Sequence, residues 1–159
     1  MADLPWPNLS HGQIWKPNDC THAAAEIQLS HRHILDLAKM KIELRKSFRF
    51  DAAHYLPCLP KTAKCAQLHG HSFTVEVAVA GELDPKRGWV MDYGEIAAAV
   101  QPLLEQLDHK VLNEVAGLDN PTSENIAVWL WKKLKPSLPG LVEVVVAETP
   151  TARAIYRGP

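Results

Sequence analysis

Residues 69–83 read His69-Gly70-His71-Ser72-Phe73-Thr74-Val75-Glu76-Val77-Ala78-Val79-Ala80-Gly81-Glu82-Leu83. His69, His71, Phe73, Val75, Val77 and Val79 fall at every second position, the period of a strand buried on one face. The stretch before it carries the same signal. Across 41–56, Leu44, Phe48, Phe50, Ala52 and His54 share one face, and Arg45, Ser47, Arg49 and Asp51 share the other. Between the two runs lies "LPCLPKTAKCAQ", a loop broken by Pro57 and Pro60. The two strands are expected to pair as an antiparallel ribbon with a long connection.

Downstream the period changes. After the turn "DPKRGWV", Asp92 and Glu95 have the spacing of a capping box. Ile96, Val100, Leu103, Leu104 and Leu107 form the apolar stripe of the helix that follows. Pro102 falls inside it and predicts a kink or a restart, since an interior proline costs about 3 kcal/mol. Thr122 or Ser123 caps a second helix with Ile126, Leu130 and Leu134 on one side, ended by Pro136 and Pro139-Gly140. "LVEVVVAE" and "ARAIYRG" are two more strands. The order is ββααββ. It predicts an α+β domain, with a four-stranded antiparallel sheet and both helices on one face.

A chain of 159 residues with 47% hydrophobic residues is long enough for one domain with a sizeable core. Its formal net charge of −1 argues against a general nucleic-acid binder. No run approaches the roughly 18 apolar residues of a membrane span, and no secretory signal is visible at the N-terminus. The cysteines, Cys20, Cys58 and Cys65, are odd in number and lack CxxC spacing, which favours a reducing compartment. A soluble, cytoplasmic protein is expected. Residues 1–39 read differently from the rest: an extension, with a short helix possible from Ala23 to Lys39, ahead of a domain over 40–159. His31 and His33 in it form an HxH pair with no structural frame around it, and a solvated tail is the simpler reading.

Alternate strand residues point the same way, so His69 and His71 can reach one metal ion. Gly70 between them allows a close backbone approach or a bulge. If the strands pair, His54 joins them. Three histidines without a fourth protein ligand is the pattern of a catalytic zinc with an open position; two strand histidines can equally be polar residues satisfied by backbone partners. Cys65, four residues before His69, can serve as base, nucleophile or fourth ligand, or be a small buried hydrophobe. Cys58 competes for that place from farther away. Asp108-His109 after the first helix can act as an acid–histidine relay, although adjacent side chains seldom hydrogen-bond well; the alternative is a histidine favoured by the helix dipole. Glu148 closes an apolar strand, where exposure is the default for a carboxylate.

Taken in order, "FDAAH", Cys65-x3-"HGHSF", "GWVMDYGE", "LDHKVLN", "NPTSEN" and "AETPTARAIYRG" resemble the 6-pyruvoyl-tetrahydropterin synthase family over about 40–158. The resemblance implies the tunnelling fold and a homo-oligomer of trimers, stacked into a hexamer, with active sites between subunits. It implies zinc on His54, His69 and His71, Cys65 as general base, Asp108 and His109 as its relay, and Glu148 as the anchor of the pterin ring. Thr149 and Thr122, Ser123 and Glu124 would help line the pocket. The short spacing from Cys65 to HGH resembles the bacterial branch that forms 6-carboxy-tetrahydropterin for queuosine. The implied reaction is conversion of 7,8-dihydroneopterin triphosphate to 6-carboxy-tetrahydropterin, acetaldehyde and triphosphate. A 6-pyruvoyl product from the same residues, or a zinc and pterin module without turnover, are the alternatives. Lys46, Lys64, Lys110 and Arg153 are candidates for the triphosphate.

Overall fold

The computed structural model describes residues 40–159. Strands β1 (Lys41–His54) and β2 (His69–Glu82) are followed by helices α1 (Tyr93–Leu107) and α2 (Ser123–Leu134), then strands β3 (Leu141–Thr149) and β4 (Ala152–Tyr156). The strands form one antiparallel sheet in the order β1-β2-β3-β4. This is the α+β arrangement the hydrophobic periods predict. The expected helix over Ala23 to Lys39, and the His31/His33 pair, lie outside the described residues.

Each period finds its partner. The alternate residues Phe50, Phe73, Val75, Val77, Val144 and Val146 are buried against Ile96, Val100 and Leu104 of α1 and Ile126, Leu130 and Leu134 of α2. At about 1.5–3 kcal/mol for each buried large side chain, this single cluster is the main source of stability. Among the described residues no helix packs on the opposite face of the sheet, which carries Arg45, Glu76 and Glu143. There Glu143 is only 3% exposed, and it is held by Arg45 and Arg157, each at 2.6 Å. Arg45 also reaches Glu43 and Glu76. These carboxylates, Glu143 first, hold its guanidinium above its ordinary pKa.

The helix ends follow their capping chemistry. The Asp92 carboxylate accepts from Gly94 N at 2.7 Å, and Glu95 reaches back to Asp92 N. Thr122 Oγ1 accepts from Asn125 N and caps α2, whose last turn carries Lys132 and Lys133 at the negative end of the dipole. Of the two outcomes expected at Pro102, a restart does not occur. Helix α1 runs through it unbroken. The proline is exposed, so water can meet the carbonyl that its missing N–H leaves free. Gly70 needs no bulge either. It pairs in register with Ala53, and the irregularities fall at Ala78/Val79 and Ala147/Thr149.

Two features place the site. The β1–β2 register ends with Ala52 opposite His71 and His54 opposite His69, so three imidazoles meet at one end of the ribbon. The segment after α1 lies along the free edge of β1: His109 N donates to Asp51 O at 2.6 Å and Ala53 N to Lys110 O at 2.9 Å.

Candidate active site

His54, His69 and His71 each offer a ring nitrogen, all within 4.8 Å of one another. His54 is buried, 1% exposed, with Phe73 edge-on to it. Its Nδ1 donates to Pro121 O at 2.8 Å, and His69 Nδ1 donates to Gln67 O at 2.8 Å. A carbonyl only accepts, so both Nδ1 atoms carry the proton and both Nε2 atoms present lone pairs. Those Nε2 atoms are 3.1 Å apart. Two facing lone pairs repel unless a cation lies beside them. Main-chain carbonyls that fix the tautomer from behind are also how metal-bound histidines are oriented. The donor set therefore fits a metal. Burial, partly offset by the Pro121 contact, pushes the His54 pKa below its ordinary value and favours the neutral ring that a metal requires.

Asp108 and His109 form a second group, with Asp51. Contrary to the expectation for neighbours in sequence, their side chains meet: His109 Nδ1 lies 3.0 Å from Asp108 Oδ1. His109 has a left-handed backbone here, φ 57°. Asp108 Oδ1 also accepts from Asp51 N at 2.9 Å. That amide first, and His109 second, hold the Asp108 carboxyl below its ordinary pKa. The ring itself is 78% exposed. His109 and His71 line one cavity of about 530 Å³.

Cys65 lies in a 3-10 turn, Lys64–Ala66, and is exposed. Its carbonyl accepts from Leu56 N at 2.8 Å, which ties the turn to the end of β1. Within the described chain the thiol joins neither the histidine cluster nor the Asp108–His109 group. Glu148 and Thr149 line a separate cavity of about 550 Å³ with Arg49, Thr74 and Arg153. The Glu148 charge still acts on His54, opposing the fall in its pKa. Thr122 is engaged in capping. The Glu124 carboxyl is held low by its own amide first, then by the Thr122 and Ser123 hydroxyls, at the N-terminus of α2.

Sequence reasoning missed four contributors. Pro121 and Gln67 act through main-chain carbonyls, which leave no residue-type signal. Asp51 lies within "FDAAH", where strand alternation shows only an outward-facing residue. Ser72 Oγ donates to Asp51 Oδ1 at 2.5 Å, a contact that follows from their pairing across β1 and β2.

Fold and site define a class of small α+β domains with a metal-competent histidine triad at the end of a β-ribbon. Residues 43–159 match the family of 6-pyruvoyl tetrahydropterin synthase, and the chain belongs to that family. It is 44% identical over 120 residues to 6-carboxy-5,6,7,8-tetrahydropterin synthase of Synechocystis, covering 72% of this chain and 92% of that protein. It is 40% identical over 105 residues to dihydroneopterin monophosphate aldolase of Pyrococcus furiosus, covering 66% and 85%. Among solved structures, the 6-pyruvoyl tetrahydropterin synthase of Caenorhabditis elegans superposes with a TM-score of 0.69 at 28% identity, over 76% of this chain and 97% of that one.

Proposed function

We propose that the protein converts 7,8-dihydroneopterin triphosphate and water to 6-carboxy-5,6,7,8-tetrahydropterin, acetaldehyde and triphosphate, as a step toward queuosine. The observation that carries this reading is the pair of Nε2 lone pairs of His54 and His69, set facing one another by carbonyls behind each ring. His54, His69 and His71 would hold a zinc ion. When bound, it supplies Lewis-acid polarisation of the substrate's side-chain hydroxyls.

The chain's own groups do the rest. Glu148 accepts hydrogen bonds from the N–H groups of the pterin ring, with Thr149 beside it. The Cys65 thiolate takes a proton from the side chain of the substrate as general base. His109, oriented by the Asp108 carboxylate, exchanges a proton with the reacting oxygen. Protons move from side chain to ring, so the ring is reduced while the side-chain carbon it carries is oxidised. Triphosphate leaves from the terminal carbon, and cleavage of the carbon–carbon bond, which consumes the water, then releases acetaldehyde and leaves the 6-carboxyl group.

Since Cys65 stands apart from Asp108 and His109 in one chain, the reading includes a trimer-based homo-oligomer with active sites between subunits. Thr122, Ser123 and Glu124 would contribute through the start of α2, whose preceding carbonyl, Pro121 O, already orients His54. The test is product analysis with zinc-loaded protein and 7,8-dihydroneopterin triphosphate. Acetaldehyde formed in step with the 6-carboxy pterin supports the reading. A 6-pyruvoyl product without acetaldehyde overturns the carbon–carbon cleavage, and tight pterin binding without turnover overturns the enzyme.

A further inference from the structure

We propose that the face of the sheet opposite α1 and α2 carries a phosphate-binding site, in which Arg49 and Arg153 clamp a polyphosphate ester from opposite edges of one cross-strand row. Identifying the ester as the substrate's own triphosphate tail rests on the function proposed above; the anion site itself does not.

The sheet register builds the row. Arg49 on β1 pairs with Thr74 on β2. Thr74 pairs with Ala147 on β3, and Ala147 pairs with Arg153 on β4. An arginine therefore stands on each outer strand, with two short side chains between them. Adjacent strands are about 4.8 Å apart, so the two arginine Cα atoms lie roughly 14 Å from one another. That span leaves open floor over Thr74 and Ala147, and both arginines line the cavity of about 550 Å³ above it. The volume lies within the roughly 300–1,000 Å³ of small-ligand sites.

The charges on this face are divided unequally. Arg45 is committed to Glu43, Glu76 and Glu143, and Arg157 to Glu143. Among the described residues no carboxylate pairs with Arg49 or Arg153. Glu76 also lines the cavity, but its Oε1 is taken by Arg45 at 2.6 Å. Glu148 enters the same cavity beside the irregularity between Ala147 and Thr149, where it is available to a ring N–H. Two guanidinium forks are left for an anion, each able to bind phosphate oxygens in pairs. The Thr74 hydroxyl lies between them.

The experiment titrates the full-length protein with inorganic triphosphate by calorimetry. It compares wild type, Arg49→Gln, Arg153→Gln, Arg153→Lys and, as control on α2, Lys132→Gln. Loss of one charge-assisted pair is expected to weaken binding roughly tenfold to a hundredfold in each arginine-to-glutamine variant. Arg153→Lys should recover part of the loss, and Lys132→Gln should bind as wild type. Wild type that does not bind inorganic triphosphate, or glutamine variants that bind as wild type, overturn the proposal. A second arm measures KM for dihydroneopterin triphosphate and the inhibition constant of unphosphorylated dihydroneopterin, which lacks the leaving group and serves as a competitor. The clamp predicts a raised KM for the triphosphate and an unchanged inhibition constant for the unphosphorylated compound. Turnover with unchanged KM in the variants overturns the clamp and leaves the enzyme reading intact. Triphosphate binding that depends on the arginines, without turnover by wild type, leaves the clamp standing and overturns the enzyme.

Discussion

His54 and His69 point their Nε2 atoms at each other across 3.1 Å, while the opposite nitrogen of each ring donates to a main-chain carbonyl. The backbone thus dictates which lone pairs are available before any ion arrives. This arrangement predicts that metal binding stabilises the fold by linkage. Adding zinc to chelator-treated protein should raise Tm, and His54→Ala should abolish most of that increment. His69→Gln should reduce it less, because His69 is the less buried ligand. Equal Tm with and without metal in the wild type would count against the site. Metal content by elemental analysis is the independent check.

The thiol gives a separate prediction. Cys65 lies outside the histidine cluster, so Cys65→Ala should retain bound metal at the wild-type stoichiometry while losing turnover by about 10² or more, the range for a general base. Cys58→Ala, in the same loop and exposed, should keep both. Cobalt-substituted protein should show no strong thiolate-to-metal absorption band; such a band would place the sulfur on the metal.

Much of this architecture was legible because the signals were periodic. Val75, Val77 and Val79 alternate, Ile96, Val100 and Leu104 recur at helical spacing, and both helix caps are local. The histidines could be placed at one ribbon end because the period-two rule fixes the side on which His69 and His71 emerge. What escaped depended on contacts without a local signature. The Asp108–His109 pair occurs with His109 at φ 57°, and nothing in the dipeptide shows that. Glu143 reads as an interruption in a run of valines, yet it sits on the polar face between Arg45 and Arg157, residues distant in sequence. At Pro102 the sequence shows the missing N–H but not that the position is exposed, which lets the helix continue without a restart.

The Asp108 carboxyl predicts a specific pH response. Its pKa is lowered in the fold, chiefly by the Asp51 amide and then by His109. A group whose folded pKa is depressed contributes stability above its unfolded value and loses it as pH falls through the folded value. Urea midpoints should therefore fall on acidification from about pH 5 downward, over the range where an ordinary aspartate titrates. Asp108→Asn should be less stable than wild type at neutral pH and should show a shallower acid-side decline. An unchanged slope would mean that the carboxylate contributes nothing to the loop along β1.

Pro102 allows a test in the opposite direction. It occupies an exposed position in the middle of α1, where the helix loses one main-chain hydrogen bond. Pro102→Ala restores that N–H, and alanine is the better helix former by about 3 kcal/mol in a helix interior. Against this, proline restricts the unfolded chain, an effect of roughly 0.4–1 kcal/mol that the substitution gives up. The balance predicts a stabilised variant with a higher Tm and unchanged activity. A lower Tm would show that the break in the ladder is compensated more fully than solvent exposure alone allows.

The last prediction concerns Glu143. Neutralising it leaves Arg45 and Arg157 without their shared partner, but both arginines are substantially exposed and can be hydrated. The full 3–5 kcal/mol cost of breaking a buried pair therefore does not apply. A loss of about 1–2 kcal/mol is expected for Glu143→Gln, which keeps the shape and some hydrogen bonding. Glu143→Met should cost no more than Glu143→Gln if packing matters more than charge at this position, since hydrophobic replacement of a buried ion can be neutral. It should also release Arg157 while Arg45 remains on Glu43 and Glu76. The freed cation lies on the same face as Arg49 and Arg153, so inorganic triphosphate should bind Glu143→Met at least as tightly as wild type. Weaker binding would show that Glu143 is needed to hold the face in shape, and that its role is positional as well as electrostatic.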